Sequence, residues 1–229
     1  MSFINTIETA WKKNNSLVCV GLDTDPDRIP EHLRDKELPV FEFNKAIVDA
    51  TADLICAYKP QIAYYAASGS ERELVMTIEY IHEKYPDIAV ILDAKRGDIG
   101  STASKYAIEV FDRYKADAVT INPYMGGDTL KPFLERKDKG VVVLCRTSNP
   151  GARDIQDLVV DGKKLYRIVA EKAANEWNYN GNLLLVVGAT YPLELKEIRS
   201  IVGDIPLLVP GIGAQGGDVE QSVTSGRDS

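Results

Sequence analysis

The run Ile88-Ala89-Val90-Ile91-Leu92 is apolar throughout and stops abruptly at Asp93-Ala94-Lys95-Arg96-Gly97-Asp98-Ile99. An apolar run without alternation predicts a strand buried on both faces, as in a parallel sheet covered by helices. Alternate residues of a strand share a face, so Asp93 and Lys95 are expected to point the same way. Asp98 lies just past the strand and can turn back toward them. A cation set among carboxylates at the carboxyl end of a buried strand stands where α/β enzymes place their chemistry.

Similar short runs recur along the chain. Strands are predicted over 17–22, 54–59, 88–92, 118–121, 141–145, 183–187 and 207–209. Helices are expected over 2–14, 43–51, 71–84, 101–114, 129–136, 163–177 and 192–201. This alternation predicts βαβ units, and most strands end in a polar or glycine-rich loop, the pattern of a TIM (β/α)8-type barrel. The 229 residues suit one such barrel, so residues 1–229 are read as a single domain. Seven strands are expected, not eight, because no apolar segment follows the helix that starts near Asp218. The barrel is expected to lack its eighth strand at the C-terminus. The long segment from Thr147 to Gly162 is read equally as a lid or as a surface excursion.

Composition narrows the function classes. A formal net charge of -7 argues against a nucleic-acid-binding face. No apolar run approaches a membrane span, and the N-terminus has neither a basic start nor an apolar signal core, so a cytoplasmic protein is expected. Cys19, Cys56 and Cys145 sit apart in apolar runs and read as buried free thiols. His32 and His82 are the only histidines, and neither lies near a cysteine or carboxylate cluster. No metal site is expected, and no His-based triad. Lysine and carboxylates remain as the acid/base material.

Lys59 ends the second strand, beside the third in a sequential barrel. Lys59, Asp93, Lys95 and Asp98 would then form an alternating array. Flanking carboxylates favour the ammonium form of Lys95, which suits a proton donor and disfavours Schiff-base chemistry. Pro210-Gly211-Ile212-Gly213-Ala214-Gln215-Gly216-Gly217-Asp218 follows the seventh strand, where barrels often hold phosphate against glycine N–H groups and a helix N-terminus. Asp23, at the end of the first strand, could hold sugar hydroxyls or cap a turn.

Six segments carry a family resemblance, in order along nearly the whole chain. They are Val18 to Pro26, Tyr58 to Tyr65, Leu92 to Ala103, Thr120 to Gly126, Cys145 to Gly151 and Val209 to Asp218. The chain resembles the orotidine 5′-phosphate decarboxylase family, in its type 2 group. The resemblance implies cofactor-free decarboxylation of a pyrimidine nucleotide within pyrimidine synthesis. Lys95 would be the proton donor to C6, Asp93 would lie beside the departing carboxylate, and Lys59 would complete the array. The resemblance makes Asp98, followed by Ile99 and Thr102, a contribution across a homodimer interface, giving shared active sites. Asp23 would bind ribose hydroxyls, Ser148 would read the pyrimidine, and Pro210, Gln215 and Gly216 would belong to the phosphate side. It also implies an eighth strand bearing a phosphate-gripping arginine, which Arg227 is not, since Arg227 precedes that strand. The alternatives are a metal-dependent sugar-phosphate decarboxylase or aldolase of the same superfamily, and an inactive nucleotide-binding barrel.

Overall fold

Strands here are short, apolar and flanked by amphipathic helices, and the computed structural model stacks them side by side. It describes residues 2–212 and 216–227. In chain order the elements are α1 (Phe3–Asn14), β1 (Cys19–Gly21), α2 (Glu31–Arg34), α3 (Pro39–Thr51), β2 (Ala57–Lys59), α4 (Ile62–Ser68), α5 (Glu71–Lys84), β3 (Ala89–Arg96), α6 (Gly100–Ile108), β4 (Ala118–Ile121), α7 (Gly127–Leu134), β5 (Gly140–Arg146), α8 (Arg153–Gln156), β6 (Val159–Val160), β7 (Lys163–Lys164), α9 (Leu165–Lys172), β8 (Leu183–Val187), α10 (Pro192–Val202), β9 (Leu207–Leu208) and α11 (Val219–Gly226).

Seven strands form one sheet in the order β1-β2-β3-β4-β5-β8-β9, and every neighbouring pair is parallel. All seven carboxyl ends therefore lie on one rim. This is a TIM-type α/β barrel sheet without an eighth strand among the described residues, as the spacing of apolar runs predicts. Strands β4 and β8 are buried at every position, which accounts for their uninterrupted apolar sequence. Helix α1 closes the opposite end: Phe3 N–H donates to Asp138 O at 2.9 Å, and a Cβ at Gly140 would overlap the Phe3 ring. No helix among the described residues is long and apolar enough to cross a membrane.

Several boundaries differ from expectation for identifiable reasons. The first two strands start later than their apolar runs, because Leu17, Val18 and Leu54 are more than half exposed. Strand β3 continues past Leu92 to Arg96, with a register shift against β4. The helices α6 and α9 each end in one π turn, over 109–113 and 173–177. The short helices α2, α4 and α8 and the hairpin β6–β7 were not expected. Helix α4 buries only Ile62 and Tyr65, too short a pattern for periodicity to reveal, and ends on Gly69 at φ 68°. The hairpin β6–β7 turns on Asp161 and Gly162, at φ 50° and 77°. An Asp-Gly pair between Val-Val and Lys-Lys is a legible signal for that turn.

Candidate active site

Lys59 closes β2, and its Nζ lies 3.3 Å from Asp93 Oδ2 and 3.7 Å from Asp23 Oδ1. Lys95 Nζ lies 2.7 Å from Asp93 Oδ1. Charges thus alternate Lys95–Asp93–Lys59–Asp23 across the ends of β3, β2 and β1. Lys59 and Asp93 are nearly buried, with side chains 16% and 11% exposed, whereas Lys95 is 49% exposed and reaches the open rim.

Asp23 takes the place that sequence alone gave to Asp98. The Asp98 carboxylate accepts from Ile99 N–H at 2.8 Å and pairs with neither lysine. The extension of β3 explains this. Arg96 turns to the helical layer, where Nε and Nη2 grip Glu109 at 2.9 and 2.8 Å, and the chain leaves the rim toward α6. Ile99 is 62% exposed and Thr102 is exposed in the first turn of α6. Asp98, Ile99 and Thr102 therefore line no part of this chain's own charge array.

Asp93 and Lys95 do meet, but not through regular strand alternation. Lys95 has φ 44°, in the left-handed region that a residue with a Cβ avoids. Thr120, on β4, holds it there. Its hydroxyl accepts from Ala94 N–H at 3.0 Å and Lys95 N–H at 2.9 Å, and donates to Asp93 Oδ1 at 2.8 Å. Thr120 is a residue of this array that sequence reasoning missed. Its signal was a lone hydroxyl in the buried run Ala118–Ile121. Asp93 N–H in turn donates to Pro60 O at 2.9 Å, tying β3 to the Lys59 loop.

Burial works to raise the Asp93 carboxyl. Lys59, Lys95 and the Thr120 hydroxyl overcome it and hold the group below the ordinary carboxylate range. Beside the array, burial pushes the Cys19 thiol up to about 12, so it is no nucleophile at neutral pH. Asp23 and Asp93 are bridged by the Lys59 ammonium, which stands where a shared metal cation would have to bind. Among the described residues no three His, Cys, Asp or Glu side chains cluster as metal ligands.

Ser148 lies on the loop after β5, next to Gly188 at the end of β8. Pro210, Gly211 and Gly216 follow β9 on the same rim, with Gly211 at φ 101° and Gly216 at φ 81°. Gly217 N–H donates to Gly211 O at 3.0 Å and closes this turn. The Asp218 carboxylate caps α11 by accepting from Gln221 N–H at 2.7 Å. Gln215 lies outside the described residues.

A family model described as "Orotidine 5'-phosphate decarboxylase / HUMPS family" matches residues 16–226. The orotidine 5′-phosphate decarboxylase of Dechloromonas aromatica is 62% identical over 227 residues, covering 99% of this chain and 84% of that protein. That of Ralstonia pickettii is 58% identical with the same coverage. The structure of Leishmania donovani OMP decarboxylase superposes with a TM-score of 0.87 at 38% identity, over 100% of this chain and 85% of that one. The chain belongs to the orotidine 5′-phosphate decarboxylase / HUMPS family.

Proposed function

We infer that the chain removes CO2 from orotidine 5′-phosphate and releases uridine 5′-phosphate. One observation carries this reading: a single ionised carboxylate, Asp93, held between two ammonium groups at the barrel rim. When the C6–carboxylate bond breaks, its electron pair stays on C6. Lys95, exposed at the rim, meets that developing charge and donates its proton to C6. Asp93 fixes Lys95 from behind and faces the departing carboxylate. Lys59 keeps Asp93 ionised and orients Asp23, which accepts from ribose hydroxyls. Ser148 reads the pyrimidine edge. Pro210, Gly216 and Gln215 form the phosphate side, and binding there organises the charged array.

Asp98, Ile99 and Thr102 act in the site of a second copy. Support comes from Asp98 leaving its own array, and from the exposure of Ile99 beside it. The reading is thus a homodimer with shared sites, and a cytoplasmic enzyme, in keeping with three free thiols. A continuous ultraviolet assay of orotidine 5′-phosphate consumption, with no added cofactor, tests the activity. Turnover that survives a chelator supports it. Turnover abolished by chelation, or nucleotide binding without turnover, overturns it.

A further inference from the structure

Arg146 ends β5 fully buried, yet its Nε and Nη2 make no hydrogen bond among the described residues. Its guanidinium carbon lies 4.0 Å from the ring centroid of Tyr191, which follows β8. Nη1 donates to Gln156 Oε1 at 3.3 Å, and Nη2 lies 3.6 Å from Asp157. Gln156 closes α8 and folds back on the root of its own loop. Its Oε1 accepts from Thr147 N–H at 2.9 Å, and its Nε2 donates to Thr147 Oγ1, also at 2.9 Å. The next residue is Ser148. From the other side a Cβ at Gly188 would lie 2.8 Å from Ser148 Cα, and Gly188 N–H donates to Arg146 O at 2.7 Å.

Burying a guanidinium whose Nε and Nη2 make no hydrogen bond is costly, and the Asp157 carboxylate and the Tyr191 ring offset only part of that cost. What the arginine gains is a defined place for one amide oxygen. That oxygen is shared between the guanidinium and Thr147 N–H, so the loop has one geometry at its root. We propose that Gln156, clasped by Arg146, is a positioning residue that sets Ser148 against the pyrimidine and so gives the site its recognition of the base. The proposal rests on the role of Ser148 in the functional reading above. It also assigns the segment from Thr147 to Gln156 a selective task rather than that of a surface excursion.

The test compares ligands with and without a base. Ligand-observed NMR titration measures binding of uridine 5′-phosphate and of ribose 5-phosphate to the wild-type chain, Gln156→Leu and Gln156→Glu. Gln156→Leu is expected to weaken uridine 5′-phosphate about tenfold, while ribose 5-phosphate stays within about twofold. Gln156→Glu keeps the shared acceptor and is expected within about threefold of wild type for both. Thr147→Val, which removes only the hydroxyl side of the clasp, should show a smaller loss with the same base selectivity, and it serves if Gln156→Leu does not fold. Equal loss for both ligands, or no loss for either, overturns the positioning role. Wild-type protein that binds ribose 5-phosphate as tightly as uridine 5′-phosphate overturns base recognition itself, and this inference with it.

Discussion

The hydroxyl of Thr120 on β4 accepts the main-chain N–H of Lys95 at 2.9 Å, so a neighbouring strand fixes a lysine whose own backbone is left-handed. A left-handed residue with a Cβ costs on the order of 1 kcal/mol and persists only where its surroundings enforce it. Thr120→Val keeps the shape and removes the enforcement. It leaves two main-chain N–H groups without their partner and leaves Asp93 Oδ1 to Lys95 alone. Unfolding free energy should fall by about 2–4 kcal/mol, and kcat should fall with it. Thr120→Ser retains the hydroxyl and should lose about 1 kcal/mol or less. Urea unfolding and steady-state kinetics on the two variants check this.

Lys95→Ala removes the half-exposed ammonium of the array. Proton transfer and charge stabilisation at C6 both depend on it in the proposed reaction, so turnover should drop at least about 10³-fold. Stability should change by less than about 1 kcal/mol, because the side chain is half exposed and Lys59 still answers Asp93. Near-normal turnover with an unaltered circular dichroism spectrum would remove Lys95 from the chemistry.

Most of the array was legible in the sequence because it depends on strand ends. Lys59 and Asp93 each stop an apolar run, with Lys95 two residues after the second stop, and a parallel sheet must bring such stops to one rim. Asp98 was not legible, because its position depends on how far β3 continues and on Arg96 pairing with Glu109 across to the helical layer. No local pattern encodes that distance. Asp23 was read as a ribose ligand or a turn cap, and its ion pair with Lys59 needed the register Gly21↔Lys59 between β1 and β2. Thr120 was hidden for a related reason. A threonine in a strand run reads as ordinary β-branched filling until its hydroxyl is seen to bond three groups.

Asp93 also makes stability depend on pH with a definite sign. Burial raises its carboxyl, but Lys59, Lys95 and Thr120 hold it below the ordinary aspartate value of 3.8 in the folded chain. The unfolded chain therefore binds the proton first as pH falls. The stabilisation is fully present above about pH 4 and is lost as pH drops from there through the folded-state value. Asp93→Asn should flatten the acid limb of a stability-versus-pH curve below about pH 4, whatever it costs at neutral pH. An unchanged slope would assign the acid sensitivity to other carboxylates.

Gly217 is a further point where close approach decides the outcome. An added Cβ would lie 2.6 Å from Ala189 Cβ and 2.7 Å from Gly211 O, and the latter is backbone that cannot give way easily. Gly217→Ala should open the turn between Gly211 and Gly217, raising KM for the nucleotide about tenfold or more with a smaller change in kcat. Kinetics at saturating and limiting substrate separate the two effects.

The proposal of shared active sites gives the sharpest test of where Asp98 acts. In a homodimer with exchanged aspartates, each site needs its own Lys95 and the partner's Asp98. Lys95→Ala and Asp98→Ala variants should each be nearly inactive alone. Mixed at equal concentration and allowed to exchange subunits, half of the dimers become mixed. Each mixed dimer then holds one site with both residues intact and one with neither. Activity should recover to about a quarter of wild type. Recovery requires exchange, so it should appear slowly after mixing and faster after dilution and reconcentration. If Asp98 served its own chain, the mixed dimer would hold two defective sites and no activity would return.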